Sequence, residues 1–295
     1  MKNFLPPFLR FEKFRSPGGC SQNTLRVLQW VLNKQCEAII FGSVGKDEES
    51  EELKILMNKS GVQTRYVQQN LPTGKTLALV KNKISTLVAC VGAAEYLPLS
   101  DLLSLEDINS IMERASYVYI EGFFLTKRAE TANYILNLSM KHGKPVLFNL
   151  SGKYIIDIHP VIIQHFAKSS NYLFGTLEEF EALWKSMGLQ TMQAFINSIM
   201  KHRNEKSVVI TNGGNPGYFV ENSSEIKRFE VLKIKDDDIR DTTGTGDAFV
   251  GGFIAALICK KTSITECIKT GTYAACQILQ QTGCTLPNFE CNALK

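Results

Sequence analysis

The run Asp241-Thr242-Thr243-Gly244-Thr245-Gly246-Asp247-Ala248-Phe249-Val250-Gly251-Gly252 sets two glycines and then a carboxylate at the mouth of an apolar helix. Gly244 and Gly246 permit a tight turn whose backbone N–H groups face outward. The helix that follows adds its unpaired amides and the positive end of its dipole. Such a nest of Gly244, Thr245 and Gly246 amides holds an anion, for example the terminal phosphate of a nucleotide. Asp247, in the first helical turn, then reaches a hydroxyl brought alongside. The bland alternative is two glycines capping a buried helix, with Asp247 favoured there by the dipole. The loop is neither a GxxxxGK[ST] phosphate loop nor a GxGxxG dinucleotide fingerprint. It also lacks a lysine, so positive charge on a phosphate must come from backbone amides and a magnesium ion.

The elements that position this loop alternate. Short β-branched and aromatic runs at Ala38 to Ser43, Tyr117 to Glu121, Pro145 to Leu150, Tyr172 to Phe174 and Ser207 to Thr211 read as strands buried on both faces. Helical patterns fill the gaps at 21–33, 48–60, 128–142, 177–187, 191–202, 245–259 and 264–281. This order predicts an α/β fold with a doubly wound, mostly parallel sheet flanked by helices. One segment departs from the alternation: Gln63 to Gln68, Thr76 to Lys81 and Thr86 to Val91 read as an antiparallel meander, a small β lid at about 62–91 inserted into a single domain of residues 1–295. Ligands sit at the carboxyl edge of such sheets, where the lid would cover them.

Composition excludes other classes. With 44% hydrophobic and 21% charged residues among 295, and a net charge of +4, the chain can bury enough surface to order itself. The longest apolar run, Ala248 to Cys259, carries two glycines and falls short of the ~20 residues of a spanning helix, so no membrane partner is expected. The amino-terminal FLPPFLRFEKFR has no secretory pattern. Eight cysteines without a CxxC pair suggest reduced thiols in a cytoplasmic protein, with the nucleus also open. Lys201, His202 and Arg203 make too small a basic cluster for nucleic acid.

DTTGTGDAFVGGF resembles the carboxy-terminal signature of ribokinase-like (pfkB-type) carbohydrate kinases. Gly18-Gly19-Cys20-Ser21-Gln22-Asn23 with Gln29-Trp30, then Glu121 to Thr126, Asn149-Leu150-Ser151, and Thr265 through Thr285 are similar, in order, to segments of the adenosine kinases of that family. The resemblance implies transfer of the γ-phosphoryl group of ATP to the 5′-hydroxyl of adenosine in purine salvage, by a monomer that uses ATP and Mg2+. It casts Asp247 as the general base, acting mainly by orientation in a loose transition state. It makes the amides of Gly244, Thr245 and Gly246 an anion hole. Gly18, Gly19, Asn23, Phe123 and Asn149 fall on the adenosine side, and Glu179 on the metal. Thr176, Thr211, Gly213, Thr243, Tyr273, Ala274 and Ala275 fall on the nucleotide side. Local structure offers an alternative for several of these: a plain turn at Gly18-Gly19 or Asn149, a solvated helix face at Glu179, core packing at Phe123, Ala274 and Ala275.

The chain also departs from the family. The family's opening strand ends in an aspartate that binds the ribose, and this sequence starts too late to contain either, which predicts an incomplete parallel sheet. Thr176 and Thr243 stand where the family has asparagines, Thr272 where it has a histidine, and Ser85 aligns nearest to a lid arginine. Together these changes leave a second reading, a weakly active or non-catalytic nucleoside-binding paralogue.

Overall fold

The computed structural model describes residues 15–81, 84–203, 205–259 and 263–294. In chain order the elements are α1 (Cys20–Val31), β1 (Ala38–Val44), α2 (Glu48–Lys59), β2 (Val62–Gln68), β3 (Lys75–Lys81), β4 (Ile84–Cys90), α3 (Leu99–Leu103), α4 (Ile108–Arg114), β5 (Val118–Glu121), α5 (Gly122–Leu125) and α6 (Ala129–Lys141). They continue with β6 (Val146–Asn149), α7 (Lys153–Ile158), α8 (Pro160–Ser169), β7 (Tyr172–Thr176), α9 (Leu177–Ser186), α10 (Met192–Ile199), β8 (Ser207–Thr211), β9 (Gly217–Glu221), β10 (Lys227–Phe229), α11 (Thr245–Ile258) and α12 (Ile264–Leu279).

A six-stranded sheet in the order β10-β9-β8-β7-β6-β5 forms the middle layer. Strands β5 to β8 run parallel; β9 and β10 add antiparallel at one edge. Because neighbours along a strand point to opposite faces, Leu147, Phe174 and Val209 enter one core while Phe148, Leu173, Val208 and Ile210 enter the other. The first core packs α1, α11 and α12 against the sheet, and the second packs α7, α8, α9 and α10. Central strands buried on both sides therefore read as continuous apolar runs, as the sequence pattern implied.

Helix α11 lies so close to its neighbours that side chains are excluded at two points. A Cβ on Gly251 would meet the Thr24 carbonyl oxygen at 2.6 Å, and one on Gly252 would meet that of Thr270 at 2.7 Å. This seam holds α1, and with it the Gly18-Gly19 turn, against the helix that starts at the anion loop.

The expected three-strand meander is corrected. Strand β2 pairs in parallel with β1 across the α2 crossover, from Ala38↔Val62 to Val44↔Gln68, and only β3 and β4 form an antiparallel hairpin. The alternation of Gln63 to Gln68 suits either direction. What decides is α2, which gives the chain length to return: Asp47 caps it by accepting from the Ser50 N–H at 3.0 Å, and Glu48, Glu49 and Glu51 meet its positive end. The β1–β2 pair forms a sheet of its own, and neither β1 nor β5 has a second strand partner among the described residues. Strands β9 and β10 were not foreseen from sequence. No helix among the described residues is long and apolar enough to cross a membrane.

Candidate functional site

Consecutive parallel strands end on site residues. Glu121 closes β5, Asn149 closes β6, Thr176 closes β7 and Thr211 closes β8, with Glu121 in register with Asn149 and Thr176 with Thr211. This is the carboxyl edge of the sheet, where connecting loops leave room for a ligand.

The anion loop is built tightly from below. Gly244 caps α11 in the left-handed region at φ 78°, and a Cβ there would strike Cys284 Cβ at 2.6 Å. Asp241 fixes the loop's approach. One of its oxygens accepts from the Thr243 N–H at 3.0 Å and the Thr243 hydroxyl at 2.9 Å, and the other accepts from the Gly283 N–H at 2.8 Å. The N–H of Thr245 is turned inward to the Thr242 carbonyl at 3.3 Å, a long bond. The amides of Gly244 and Gly246 have no acceptor among the described residues, and a Cβ on Gly246 would project into open space. Gly244 and Gly246 thus keep the outward-facing donors expected of the nest, while Thr245 is partly spent on the loop itself.

Asp247 lies at the base of this loop, 9% exposed. Asn23 donates to its Oδ2 at 2.9 Å, and the Cys20 thiol also donates to its carboxylate. Asn23 is held in turn by the first turn of α1, whose cap Gly19 has φ 93°. Arg26, buried on the same helix, donates to the carbonyls of Pro17 and Cys284 and to Asn23 Oδ1, so it ties the Gly18-Gly19 turn to the segment beneath the anion loop. Burial pushes the Asp247 carboxyl above the ordinary carboxylate range, against the lowering effect of its two donors. Glu121, 3% exposed, is raised further by burial and by the charge of Asp247.

Near the Gly18-Gly19 turn, the Phe123 ring lies 6.1 Å from that of Tyr154, an exposed residue whose hydroxyl feels the Cys20 thiol. Phe123 and Tyr154 therefore lie near Cys20, whose neighbour on α1, Asn23, bonds Asp247. Phe124 instead lies beneath the Arg128 guanidinium, 4.6 Å from its ring centre, as part of the packing. Gln22, next to Asn23, accepts from the hydroxyl of Tyr66 on β2, joining the Gly18-Gly19 turn to the β1–β2 pair.

The residues expected on the nucleotide and metal side are less gathered. Thr176 and Glu179 form a capping box at the start of α9: the Thr176 N–H donates to Glu179 Oε2 at 2.8 Å, and the Glu179 N–H to Thr176 Oγ1 at 3.3 Å. Glu179 Oε1 has no partner among the described residues, and burial raises this carboxyl. The Thr211 hydroxyl donates to the Gly175 carbonyl at 3.2 Å, and Gly213 follows in the left-handed region at φ 57°. Tyr273 stacks on Trp30 with ring centres 6.3 Å apart, Ala274 is fully buried against Gly252, and Ala275 is buried beside them. The structure gives these three packing partners between α1, α11 and α12, and Thr272 spends its hydroxyl on the Ile268 carbonyl. Ser85 lies on β4, its side chain outside the described ones.

Sequence reasoning missed Glu121, Tyr119, Ser151 and Tyr154. A signal existed for the first: one acid in the otherwise apolar stretch Tyr117 to Leu125, at the carboxyl end of a buried strand.

Residues 12–291 match the family described as pfkB family carbohydrate kinase. Among curated proteins, adenosine kinase 2 of Arabidopsis thaliana is 30% identical over 278 residues, spanning 92% of this chain and 80% of that protein. Adenosine kinase of Dictyostelium discoideum is 28% identical over 281 residues, 93% of this chain and 82% of that protein. Among solved structures, Anopheles gambiae adenosine kinase in complex with P1,P4-di(adenosine-5) tetraphosphate superposes with a TM-score of 0.83 at 31% identity, covering 92% of this chain and 83% of that one. The Schistosoma mansoni adenosine kinase in complex with 2-fluoroadenosine gives 0.85 at 29% identity, over 92% and 81%.

Proposed function

The chain belongs to the pfkB family of carbohydrate kinases, and we propose that it phosphorylates adenosine at the ribose 5′-hydroxyl with ATP, giving AMP and ADP. The single observation that carries this reading is Asp247. A buried carboxylate sits in the first turn of α11, beside the amides of Gly244 and Gly246, with an asparagine of the first turn of α1, just past Gly18-Gly19, bonded to it. A base, an anion cradle and a sugar-side turn thus converge on one point, as transfer of a phosphoryl group to an alcohol requires.

Adenosine enters between the Gly18-Gly19 turn and the end of β6, with Asn23 and Asn149 at its hydroxyls and Phe123 and Tyr154 at its base. Asp247 takes the 5′-hydroxyl proton as the new O–P bond forms. The amides of Gly244 and Gly246 meet the negative charge spread over the transferred group, and ADP departs with the electrons of the broken bond. Thr176, Thr211, Gly213 and Thr243 line the nucleotide's path along the carboxyl edge. Glu179, with Oε1 clear of its capping box, fits the hard-cation preference for carboxylate oxygen and would hold Mg2+ there; bound, the ion neutralises phosphate charge. The β3–β4 hairpin acts as the lid. It springs from the carboxyl ends of β1 and β2, where the Thr73 hydroxyl accepts from the Gly45 N–H at 2.9 Å and the Thr73 N–H donates to Asp47 at 2.7 Å. The protein acts as a monomer in the cytoplasm.

The test is direct. Purified protein with Mg2+, adenosine and ATP labelled at the γ-phosphate yields labelled AMP. Absence of labelled AMP, with adenosine still raising the melting temperature, sinks catalysis in favour of a nucleoside-binding role.

A further inference from the structure

Three segments distant in sequence bring a second carboxyl group to the base. Ligand atoms of Cys20, Glu121 and Asp247 all lie within 4.8 Å of one another, with both carboxyl groups buried and Cys20 half-buried. Two ionised carboxylates at that range in a low-dielectric pocket repel strongly, and one of them keeps its proton. Which one is decided by burial, Glu121 at 3% exposed against 9% for Asp247, and by the groups around them.

Ser151 makes the count. Its backbone is held at φ 69° in the left-handed region, and its hydroxyl oxygen has three neighbours. The Gly122 N–H donates to it at 2.7 Å, the Asn149 carbonyl oxygen lies at 3.1 Å, and Glu121 Oε2 is in direct contact. A hydroxyl has one hydrogen and two lone pairs. The Gly122 N–H takes one lone pair, and the single hydrogen is shared as a choice between Glu121 Oε2 and the Asn149 carbonyl. A protonated Glu121 lets this hydroxyl keep all three neighbours, giving its hydrogen to the Asn149 carbonyl while the acid donates to the remaining lone pair. Its other oxygen, Oε1, accepts from the Tyr119 hydroxyl, as the carbonyl oxygen of a neutral acid does. Glu121 also receives a side-chain hydrogen bond from Asn149, which favours its ionised form, but its burial and the charge of Asp247 outweigh this. Asp247 is faced by two donors, the Asn23 amide and the Cys20 thiol, which favour the ionised form.

We propose that Glu121 is a positioning residue held as a neutral carboxylic acid beside Asp247, so that the pair carries its single negative charge on the oxygen that meets the sugar hydroxyl. This inference rests on the phosphotransfer reading of the preceding subsection. In the reaction Glu121 keeps its proton throughout: the hydroxyl proton passes to Asp247, the O–P bond forms, and the bond to the ADP oxygen breaks. Loss of the Glu121 proton would place a second charge beside Asp247 and beside the arriving triphosphate, and turnover would fall.

The titratable groups that face the pair set the direction of its pH response. Tyr119 lies on Glu121's own strand, Asp247 on α11 and Cys20 on α1, with Cys284 facing Asp247 and Tyr154 facing Cys20. Tyr119 and the cysteines are all held above their ordinary values by burial, so they stay neutral and uncharged neighbours. Arg26, the buried cation of α1, directs its guanidinium to two carbonyls and Asn23.

The experiment compares the wild type with Glu121→Gln and Glu121→Ala. The expected kcat/KM profile of the wild type is a bell, rising as Asp247 loses its proton and falling at higher pH as Glu121 loses its own. Glu121→Gln keeps a neutral donor and acceptor, so its alkaline limb disappears. Glu121→Ala loses the contacts and drops about tenfold at neutral pH, the scale of one or two lost hydrogen bonds. Infrared difference spectra in heavy water supply a readout independent of turnover: the carbonyl stretch of a protonated carboxyl group is present in the wild type at neutral pH and absent from Glu121→Gln. An alkaline limb that persists in Glu121→Gln, or a wild type without that band, overturns the inference. If the wild type transfers no phosphoryl group but shows the band, the functional reading fails and the protonation state of Glu121 stands.

Discussion

The cluster around Asp247 and the β3–β4 hairpin are opposites within one molecule. In the first, Asp247 is bonded to Asn23 of α1 and Glu121 to Ser151 beyond β6, the two acids are 9% and 3% exposed, and the helices behind them touch backbone to backbone. In the second, Leu77 on β3 and Val88 on β4 face each other as a cross-strand pair and stay 52% and 59% exposed. An isolated two-stranded hairpin is marginal on its own, and this one carries apolar surface that no other element covers among the described residues. The contrast separates two tasks. On the proposed function, chemistry is assembled in advance, where strain and buried charge are held by packing, whereas enclosure of the substrate falls to a part with few contacts of its own.

The strongest way to break that contrast is Asp247→Asn. Turnover falls about a thousandfold, within the range for a lost general base. The melting temperature nonetheless rises, because an amide accepts burial beside Glu121 more readily than an ionised carboxylate. A variant that turned over normally would show that the assembled cluster is not where chemistry happens. Next comes Gly244→Ala, which places a Cβ at φ 78° against Cys284. It costs about 1–3 kcal/mol of stability and about a hundredfold in turnover as the outward amide is displaced. Gly246→Ala points into open space and leaves stability intact. It crowds only the anion, so the KM for ATP rises about tenfold, 1.4 kcal/mol of binding.

How much of this could be read from sequence follows the same division. The glycine turn and the placing of Asp247 in the first turn of α11 were legible because a turn and a helix start are local, set by residues within a few positions of one another. The central strands were legible because burial on both faces writes itself as continuous apolar runs, as in Val146 to Phe148 and Val208 to Ile210. The pairing of β2 was not. Alternation in Gln63 to Gln68 fixes which side chains face inward but not which neighbour the strand chooses, and that choice belongs to the α2 crossover. Glu121 was invisible as a partner of Asp247 because their contact joins the end of β5 to the start of α11, and no spacing encodes it. Ser151 acts through a backbone angle that its residue type does not announce. Tyr273 and Ala274 matched a family position, yet their side chains are engaged with Trp30 and Gly252.

The hairpin sharpens the contrast from the other side. Leu77→Ser with Val88→Ser removes apolar surface from the exposed pair, and chemical denaturation shifts by less than about 0.5 kcal/mol, as for other surface changes. If the hairpin covers bound adenosine, the KM for adenosine rises about tenfold, the scale of 1.4 kcal/mol. An unchanged KM removes the lid from the mechanism without touching the cluster. Phe174→Ala, in the core under α11, is the control and costs about 3–5 kcal/mol.

The smallest effect on activity is expected far from both regions, at Lys206, and it shows that an assembled polar cluster need not be catalytic. This amine is 1% exposed and donates to the carbonyls of Ala167 at 2.7 Å and Ser170 at 2.5 Å, where it closes the end of α8. Burial lowers its pKa to about 7. The sign follows from which state holds the proton. Between about 7 and the ordinary lysine value, the unfolded chain keeps its proton and the folded chain has lost it, so raising the pH through this window stabilises the fold. Below about 7 both states are charged, and the fold bears the cost of the buried ammonium. Lys206→Met abolishes that dependence. It costs about 1–3 kcal/mol at pH 9, where two carbonyls lose a neutral donor, and less at pH 6, where it also removes a buried charge. Melting curves across this range test the slope, while kcat and both KM values stay at wild type. A change in turnover would mean that α8 and the catalytic edge are coupled, and that the division between assembled chemistry and the rest of the molecule is drawn in the wrong place.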